Sequence, residues 1–598
     1  MSTPEQILAD IFGYQTFRHS QREIIQSVLD GIDTLVIMPT GGGKSLCYQV
    51  PALLKEGITI VVSPLIALMN DQVAALKQLG ISAATVHSGV SSQDKQLINE
   101  ELKAGKLKLL YVAPETLLSD RFLSFIQNQP ISLIAIDEAH CVSIWGNDFR
   151  PEYVKLARLK ELFPSIPTLA LTATADHATQ GDIIKQLHLK KSRLFVSSFE
   201  RKNIHTIAQP GQQRLRQILK FIGTRPGQAG IVYCLSRKST EMMASKLQAN
   251  GLRAEAYHAG IESAKRASVQ HDFQSDELDI VCATIAFGMG IDKPNIRWVI
   301  HYNMPKNIES YYQEIGRSGR DGAPAETMLF FSWADFLQLQ RFITDSEAAE
   351  TFKKVQEAKL LRMWEYASAS SCRTNLILNY FGEFSPGPCD HCDNCLNPPE
   401  FFDGLRFAQM ALSAVVRAKE RLSISLLIDV LRGSFKHEIR SQGLDQLKTF
   451  GVGRDLPYLD WKHYITELIN QGYLSIDFSD RSKLKTTPLS SAVLHGKTDV
   501  KLTQFIPAGQ KKISKQIETE LVSGPIDQGI VTRLKQWRLG LAKSEKVPAY
   551  VILYNRTIDQ IASSMPKDKN ELLQIDGIGK AKLERYGDEI LEMIGSEQ

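Results

Sequence analysis

The strongest constraint in this sequence is a rhythm. Over residues 1–340, short apolar runs rich in β-branched residues alternate with amphipathic helical stretches. Runs too apolar to face water on either side suit strands buried on both faces, as in a parallel sheet with helices packed above and below. Segments 34–38, 59–62, 108–112, 133–136 and 168–171 form one series of predicted strands. A second begins at 230–233 and continues through 279–282 and 298–301. The series part near residue 205, which predicts two α/β lobes, 1–205 and 206–340, with a cleft between them.

At 598 residues the chain is too long for one core, and three to five domains are expected. With 43% hydrophobic and 23% charged residues it has the composition of a soluble globular protein. Its longest apolar stretch, 58–69, is broken by Ser63 and Pro64, so no membrane span is expected. Met1-Ser2-Thr3-Pro4-Glu5 lacks the basic and apolar pattern of a signal peptide, so a cytoplasmic location is expected. Net charge is +4, unevenly spread. Residues 401–525 carry 18 Lys and Arg against 13 Asp and Glu, 526–598 carry 11 of each, and 1–400 sit at −1. Any nucleic-acid binding by the first 400 residues must then rely on a shaped groove more than on bulk charge.

Pro39-Thr-Gly-Gly-Gly-Lys-Ser45 follows the first predicted strand and opens a helix. In such a loop Thr40, Gly41, Gly42 and Gly43 turn backbone N–H groups onto phosphate oxygens. Lys44 reaches the β- and γ-phosphates, and Ser45 can ligate Mg2+. Met38 stands where the strict pattern has its first glycine, so the loop alone would also fit a glycine-rich surface turn. Asp137-Glu-Ala-His140 decides the matter, because it leaves strand 133–136 at the mouth of the sheet, beside that loop. Asp137 is expected to hold Mg2+ and Glu138 to orient or deprotonate the attacking water. In Tyr312-Gln-Glu-Ile-Gly-Arg-Ser-Gly-Arg320, Arg317 and Arg320 share one face if the segment is helical. Standing in the second lobe, they can neutralise charge on the γ-phosphate only when the cleft closes.

These residues resemble the motifs of superfamily-two helicases, specifically the RecQ family, over nearly the whole chain. Phe12-Gly-Tyr-Gln15, Phe17-Arg18 and Gln21 are similar to the family's adenine-reading segment, which implies ATP contacts from Tyr14, Arg18 and Gln21. Glutamine's amide matches the N6 and N7 positions of adenine. Ser63-Pro-Leu-Ile-Ala-Leu68, Ala113-Pro-Glu115 and Thr172-Ala-Thr174 resemble strand-contacting and coupling motifs of the first lobe. Ala283-Thr-Ile-Ala-Phe-Gly-Met-Gly-Ile-Asp292 resembles one of the second lobe. Coupling roles for His140 and Gln313 follow from the same likeness. His140-Cys-Val-Ser-Ile-Trp-Gly-Asn-Asp-Phe-Arg-Pro-Glu-Tyr153 resembles the family's aromatic-rich loop. Trp145 and Phe149 offer faces for stacking on bases, and Arg150 is available for a phosphate. At a spacing of four, Trp145 and Phe149 would also fit a helical core stripe, but Gly146, Asn147 and Asp148 favour a loop.

The implied fold is two RecA-like parallel-sheet lobes followed by four segments. These are a zinc-binding helical module (341–400), a winged helix or RQC domain (401–510), a linker (511–526) and a small all-α HRDC domain (527–598). Eight cysteines in an intracellular chain argue against disulfides. Cys47, Cys141, Cys234 and Cys282 are scattered and read as core residues. Cys372, Cys389, Cys392 and Cys395 have metal-ligand spacing, for which the resemblance implies structural Zn2+, with His391 a bystander. Four thiolates would also satisfy an iron–sulfur cluster, which a brown colour would reveal. In the basic winged-helix segment Lys436, Arg440 and Lys448 are candidate phosphate contacts, and a hairpin near 473–485 is a candidate strand-separating wedge. The zero net charge of the last module argues against assuming tight DNA binding and leaves docking to a partner equally open.

The expected activity is an ATP-dependent DNA helicase, by resemblance moving 3′ to 5′ in repair, recombination and replication restart. Its expected partners are single-stranded and duplex DNA, ATP with Mg2+, and a single-strand-binding protein through the winged helix. A monomer associated with the nucleoid is expected. A translocase that remodels protein–DNA complexes, and an ATP-gated binding switch with vestigial hydrolysis, are the alternatives. The second is disfavoured by the joint presence of Lys44, Asp137, Glu138, Arg317 and Arg320.

Overall fold

The computed structural model describes residues 2–87, 89–143, 150–285, 287, 293–384, 387–477, 480, 482–504, 528–545 and 547–595. In the first lobe, β1 (Thr34–Ile37), β2 (Ile58–Val62), β3 (Ala83–Val86), β4 (Leu109–Val112), β5 (Ile131–Ile136), β6 (Thr168–Thr172) and β7 (Arg193–Val196) form one sheet. Its strand order is β3-β4-β2-β5-β6-β1-β7, and every pairing is parallel. The central strands β1, β2, β4, β5 and β6 are buried along their whole length, as their unbroken apolar runs require. This order matters for chemistry. The carboxyl ends of β5, β6 and β1 stand side by side, so the segments that follow them (Asp137, Ala173–Thr174 and the 39–45 loop) meet at one rim of the sheet.

The second sheet takes β8 (Ile204–Pro210), β9 (Gly230–Tyr233), β10 (Ala254–Tyr257), β11 (Ile280–Ala283), β12 (Trp298–His301) and β13 (Ala325–Phe331). The order is β10-β11-β9-β12-β13-β8, again parallel throughout. Strand β8 crosses residue 205, so the second sheet begins before the first expected strand of its series at 230. The arginine segment does not meet the helical condition for a shared face. The helix Ile308–Ile315 stops short of it, and residues 317–321 run as turns. Gly319 has φ +58°, and a Cβ there would lie 2.4 Å from Asn203 Nδ2. Arg317 and Arg320 therefore share no helix face, and each is aimed by its own turn.

The helix Glu350–Ser368 buries Leu360, Met363 and Tyr366 in one core with Ile308, Tyr311 and Ile315 of the second lobe. Phe381 stacks on Phe199 with ring centroids 4.3 Å apart, worth about 1 kcal/mol beyond burial. The cysteine-bearing module is thus fused to the lobes rather than tethered to them. Helices Leu405–Arg417, Ile424–Arg432 and Tyr458–Asn470 then pack around Trp461, with the antiparallel pair Leu474–Asp477 and Lys483–Thr486 alongside. That helix-and-hairpin arrangement is what the winged-helix reading expects. The proposed linker and the tip residues 478, 479 and 481 lie outside the described residues. The last module packs helices Gln528–Glu545, Asn555–Ser564 and Lys580–Gly595 around Leu534, Ile558, Ile561 and Ile590. Among the described residues, no helix is long and apolar enough to cross a membrane.

Candidate active site

A cavity of about 390 Å3 lies where the two lobes meet, a volume that suits a nucleotide-sized ligand. Its walls include Tyr14, Arg18, Gln21, Thr40, Gly41, Gly43, Lys44, Ser45, Asp137 and Glu138 from the first lobe, and Gln313, Arg317 and Arg320 from the second. The 39–45 loop leaves β1 and ends at Ser45, which caps the helix Leu46–Leu54. Gly41 and Gly43 have φ +82° and +80°, which other residues rarely adopt. A Cβ on Gly42 would lie 2.6 Å from Met38 Cγ, so the residue replacing the usual first glycine packs beneath the loop. Lys44 donates to the carbonyls of Met38 (3.0 Å) and Pro39 (3.4 Å). Burial pulls its ammonium below the usual range, against the raising effect of Glu138 and Asp137.

Asp137 and Glu138 leave β5 through a strained turn, with Glu138 at φ +49°. The Tyr153 hydroxyl donates to the Asp137 carbonyl at 3.2 Å and braces that turn. Burial and the adjacent Glu138 charge raise the Asp137 carboxyl to about 7. Burial acts the same way on Glu138, but the His140 imidazole, Lys44 and Arg317 outweigh it and hold that carboxyl well below its usual range. One site thus contains two carboxylates pushed in opposite directions.

A polar chain connects this acidic box to the second lobe. His140 Nδ1 lies 3.3 Å from Glu138 Oε2 and 2.8 Å from Thr172 Oγ1. The Thr174 amide donates to Thr172 Oγ1 at 3.3 Å, and Gln313 Nε2 donates to Thr174 Oγ1 at 3.1 Å. His140 and Gln313 are therefore the two ends of one continuous path across the cleft. Arg320 closes against the phosphate loop, with its Cα 3.3 Å from where a Cβ on Gly41 would sit. Arg317 is buried and lines the same cavity.

Gln21 is turned toward the loop. Its Nε2 donates to the carbonyls of Gly42 (3.1 Å) and Gly43 (3.0 Å), and its Oε1 accepts from the Arg18 amide (2.9 Å). Arg18 lies 6.0 Å from the Tyr14 ring centroid. Trp145 and Phe149 lie outside the described residues, as do residues 286 and 288–292 of the second-lobe motif. Arg150, at the end of the aromatic loop, donates to the Pro64 carbonyl at 3.3 Å, joining that loop to the Ser63–Leu68 motif.

The sulfurs of Cys372, Cys389, Cys392 and Cys395 lie within 4.8 Å of one another. Backbone amides of Arg373 and Asn375 point at the Cys392 and Cys372 sulfurs at 3.4 and 3.5 Å. Arg373 pairs with Asp393 at 2.5 Å, and Asp393 also accepts from the Ala208 amide at 2.9 Å, anchoring the cluster to β8.

Residues 18–183 match the DEAD/DEAH box helicase model and 212–322 the helicase conserved C-terminal domain. Residues 333–396 match RecQ zinc-binding, 398–510 the RQC domain and 527–594 the HRDC domain. The ATP-dependent DNA helicase RecQ of Haemophilus influenzae is 41% identical over 589 residues, which cover 98% of this chain and 95% of that protein. Its Bacillus subtilis counterpart is 38% identical over 592 residues, covering 99% and 98%. The chain belongs to the RecQ family.

Within the RecQ architecture the four-cysteine cluster falls in the zinc-binding module, and its all-sulfur donor set suits Zn2+. His391, expected to be a bystander, is no part of that sulfur set, and its Nδ1 lies 2.6 Å from the Cys389 carbonyl. In the winged helix, Lys436 pairs with Asp429 at 2.8 Å and Arg440 lies 5.3 Å from the Phe435 ring centroid, while Lys448 is exposed. Two contributors to the cleft were not found from sequence. Arg201 donates to the Thr40 carbonyl at 2.8 Å and to those of Ser318 and Gly319 at 3.1 Å, stitching the phosphate loop to the arginine segment. Residues of the HRDC module, Tyr554 and Lys582 among them, line the same cavity. Arg201 and Lys582 stand in no motif, and each acquires its place only through packing of distant segments.

Proposed function

We propose that the cavity between the lobes is where this RecQ-family ATP-dependent DNA helicase hydrolyses ATP, and that hydrolysis drives 3′-to-5′ movement and strand separation. The observation that carries this reading is the convergence of Lys44, Asp137, Glu138, Arg317 and Arg320 on one cavity with walls from both lobes. The 39–45 loop cradles the phosphates through its backbone amides while Lys44 binds the β- and γ-phosphates. Ser45 and Asp137 would hold Mg2+, which supplies charge neutralisation to the bridging and γ-phosphate oxygens when bound. Glu138 orients the attacking water and accepts its proton as the bond from the γ-phosphorus to the β–γ bridging oxygen breaks, giving ADP and phosphate. Arg317 and Arg320 stabilise the charge that develops on the transferred group. Tyr14, Arg18 and Gln21 form the adenine end, Gln21 exchanging its carbonyl partners for the base.

The path Glu138–His140–Thr172–Thr174–Gln313 makes proper seating of the water depend on lobe closure. Trp145, Phe149 and Arg150 pass DNA contact to the same box, because their loop continues directly from His140. Domain limits at 205, 340, 400, 510 and 526, a cytoplasmic, nucleoid-associated monomer, and a single-strand-binding protein docking on the winged helix belong to the same proposal. Unwinding of duplexes carrying a 3′ or a 5′ tail tests it. The 3′-tailed duplex should be opened with ATP and the 5′-tailed one left intact. ATP turnover without strand separation on either substrate would favour the translocase reading.

A further inference from the structure

Residues 197–203 join β7 of the first sheet to β8 of the second, and the chain is fixed there from several sides. The Ser197 amide donates to the Ile37 carbonyl, at the end of β1, at 2.8 Å. Glu383 accepts from the Ser198 hydroxyl at 2.7 Å and from the Phe199 amide at 2.9 Å. The Tyr312 hydroxyl donates to the Phe199 carbonyl at 2.9 Å. Arg201 therefore projects from a crossing that is held on both sides. Its Nη1 donates to the Thr40 carbonyl of the phosphate loop, and its Nη2 to the Ser318 and Gly319 carbonyls of the arginine segment. One planar guanidinium thus spans the two lobes, with one terminal nitrogen turned to each.

A trans peptide is planar, with its C=O and N–H pointing opposite ways, so holding a carbonyl also sets the amide that follows it. At Thr40 the amide fixed in this way is that of Gly41, within the phosphate loop. At Ser318 and Gly319 the fixed units are two of the three that separate Arg317 from Arg320. The two segments are in backbone contact. A Cβ on Gly41 would lie 3.3 Å from Arg320 Cα, and one on Gly316 would lie 3.4 Å from Thr40 Cβ. Carbonyl oxygens gathered at so close a contact need a donor among them. Asn203 Nδ2 also donates to the Gly319 and Ala323 carbonyls, at 2.9 Å each, so the grip on the second lobe is doubled. The link to Thr40 runs through Arg201.

We infer that Arg201 is a positioning residue for hydrolysis, which holds the phosphate loop and the arginine segment in register so that Arg317 and Arg320 meet the transferred phosphoryl group. The inference rests on reading this cavity as the ATP site. Arg201 directs its donors at backbone carbonyls and acts through the groups it aligns. Its contribution therefore belongs to the transition state and not to ground-state binding. A lysine ammonium would keep the charge but lose the fork that reaches both lobes.

Titration of the full chain with two ligands, in the presence of Mg2+ and a single-stranded oligonucleotide, tests this. One is ADP with aluminium fluoride, a mimic of the transferred phosphoryl group, and the other is a non-hydrolysable ATP analogue. Arg201→Ala should weaken binding of the mimic about tenfold and leave that of the analogue within about twofold. Arg201→Lys should lose nearly as much affinity for the mimic. In a background carrying Arg317→Ala and Arg320→Ala, Arg201→Ala should add less than about twofold. Unchanged affinity of Arg201→Ala for the mimic would overturn the inference, as would an equal loss of both ligands. A loss as large in the background without the two arginines, or full affinity in Arg201→Lys, would overturn it too. Lys44→Ala separates the two levels. If it binds both ligands like the parent chain, the ATP reading of the cavity fails. If it loses them while Arg201→Ala loses neither, only the role of Arg201 fails.

Discussion

The nucleotide cleft and the cysteine cluster are both built from polar side chains brought into close range, yet they are assembled in opposite ways. The cluster draws its four ligands from 24 residues, three of them within seven positions, and is fixed by one helix start and one buried ion pair. The cleft gathers residues from Tyr14 to Arg320 and again near Lys582, across three separately packed cores. A local site can be rigid, and all-sulfur ligation leaves no open position for a substrate. A site shared between lobes exists only while they are closed, so its chemistry can be switched by whatever moves them. Damage to the first should be felt in folding, and damage to the second in turnover.

The sharpest way to break that contrast is Lys44→Ala. It should reduce ATP hydrolysis by roughly a thousandfold while leaving thermal unfolding near that of the parent chain. Comparable ATPase activity would remove Lys44 from the site, and a large fall in melting temperature would erase the distinction from the cluster. Next in size is Cys392→Ser, expected to cost several kcal/mol of folding stability and most of the soluble yield. A soluble variant with normal turnover and stability would show that the cluster is dispensable to the fold. Gln313→Ala should lower DNA-stimulated hydrolysis about tenfold with little change in the ATP concentration needed for half-maximal rate. An equal effect with and without DNA would cut Gln313 out of the coupling path.

The smallest effect concerns pH. The folded protein holds the Asp137 carboxyl near 7, above its ordinary value. A carboxyl raised by folding contributes stability that is fully present below its free value of 3.8 and is lost as pH rises from there through 7. Asp137→Asn should therefore gain in melting temperature on the parent chain as pH rises from 5 to 8 in metal-free buffer, by about 2 °C, while losing ATPase activity. A shift of the same size at both pH values would contradict the raised carboxyl.

This contrast also explains how much could be read from the chain in advance. Strands such as β1, β2 and β5 were visible because burial on both faces leaves no room for alternation, and their order then brings three motif loops to one rim. The cysteine ligands were visible because their spacing is local. The helical condition on a shared face for Arg317 and Arg320 is not met, because Gly316 and Gly319 release the chain into turns just after helix Ile308–Ile315. Arg201 and Lys582 gave no signal, since an arginine in a loop and a lysine on a surface helix are ordinary until another part of the chain folds against them. The aromatic pair Trp145 and Phe149 remains a reading of sequence pattern.

The central claim is that closure of the two lobes over ATP is driven by DNA. Steady-state ATP hydrolysis by the full chain, measured with and without single-stranded DNA, tests it most directly. The account predicts low turnover without DNA, a rise of at least about tenfold with it, and loss of that rise in both Gln313→Ala and Trp145→Ala. Turnover that is equally high with and without DNA would contradict it.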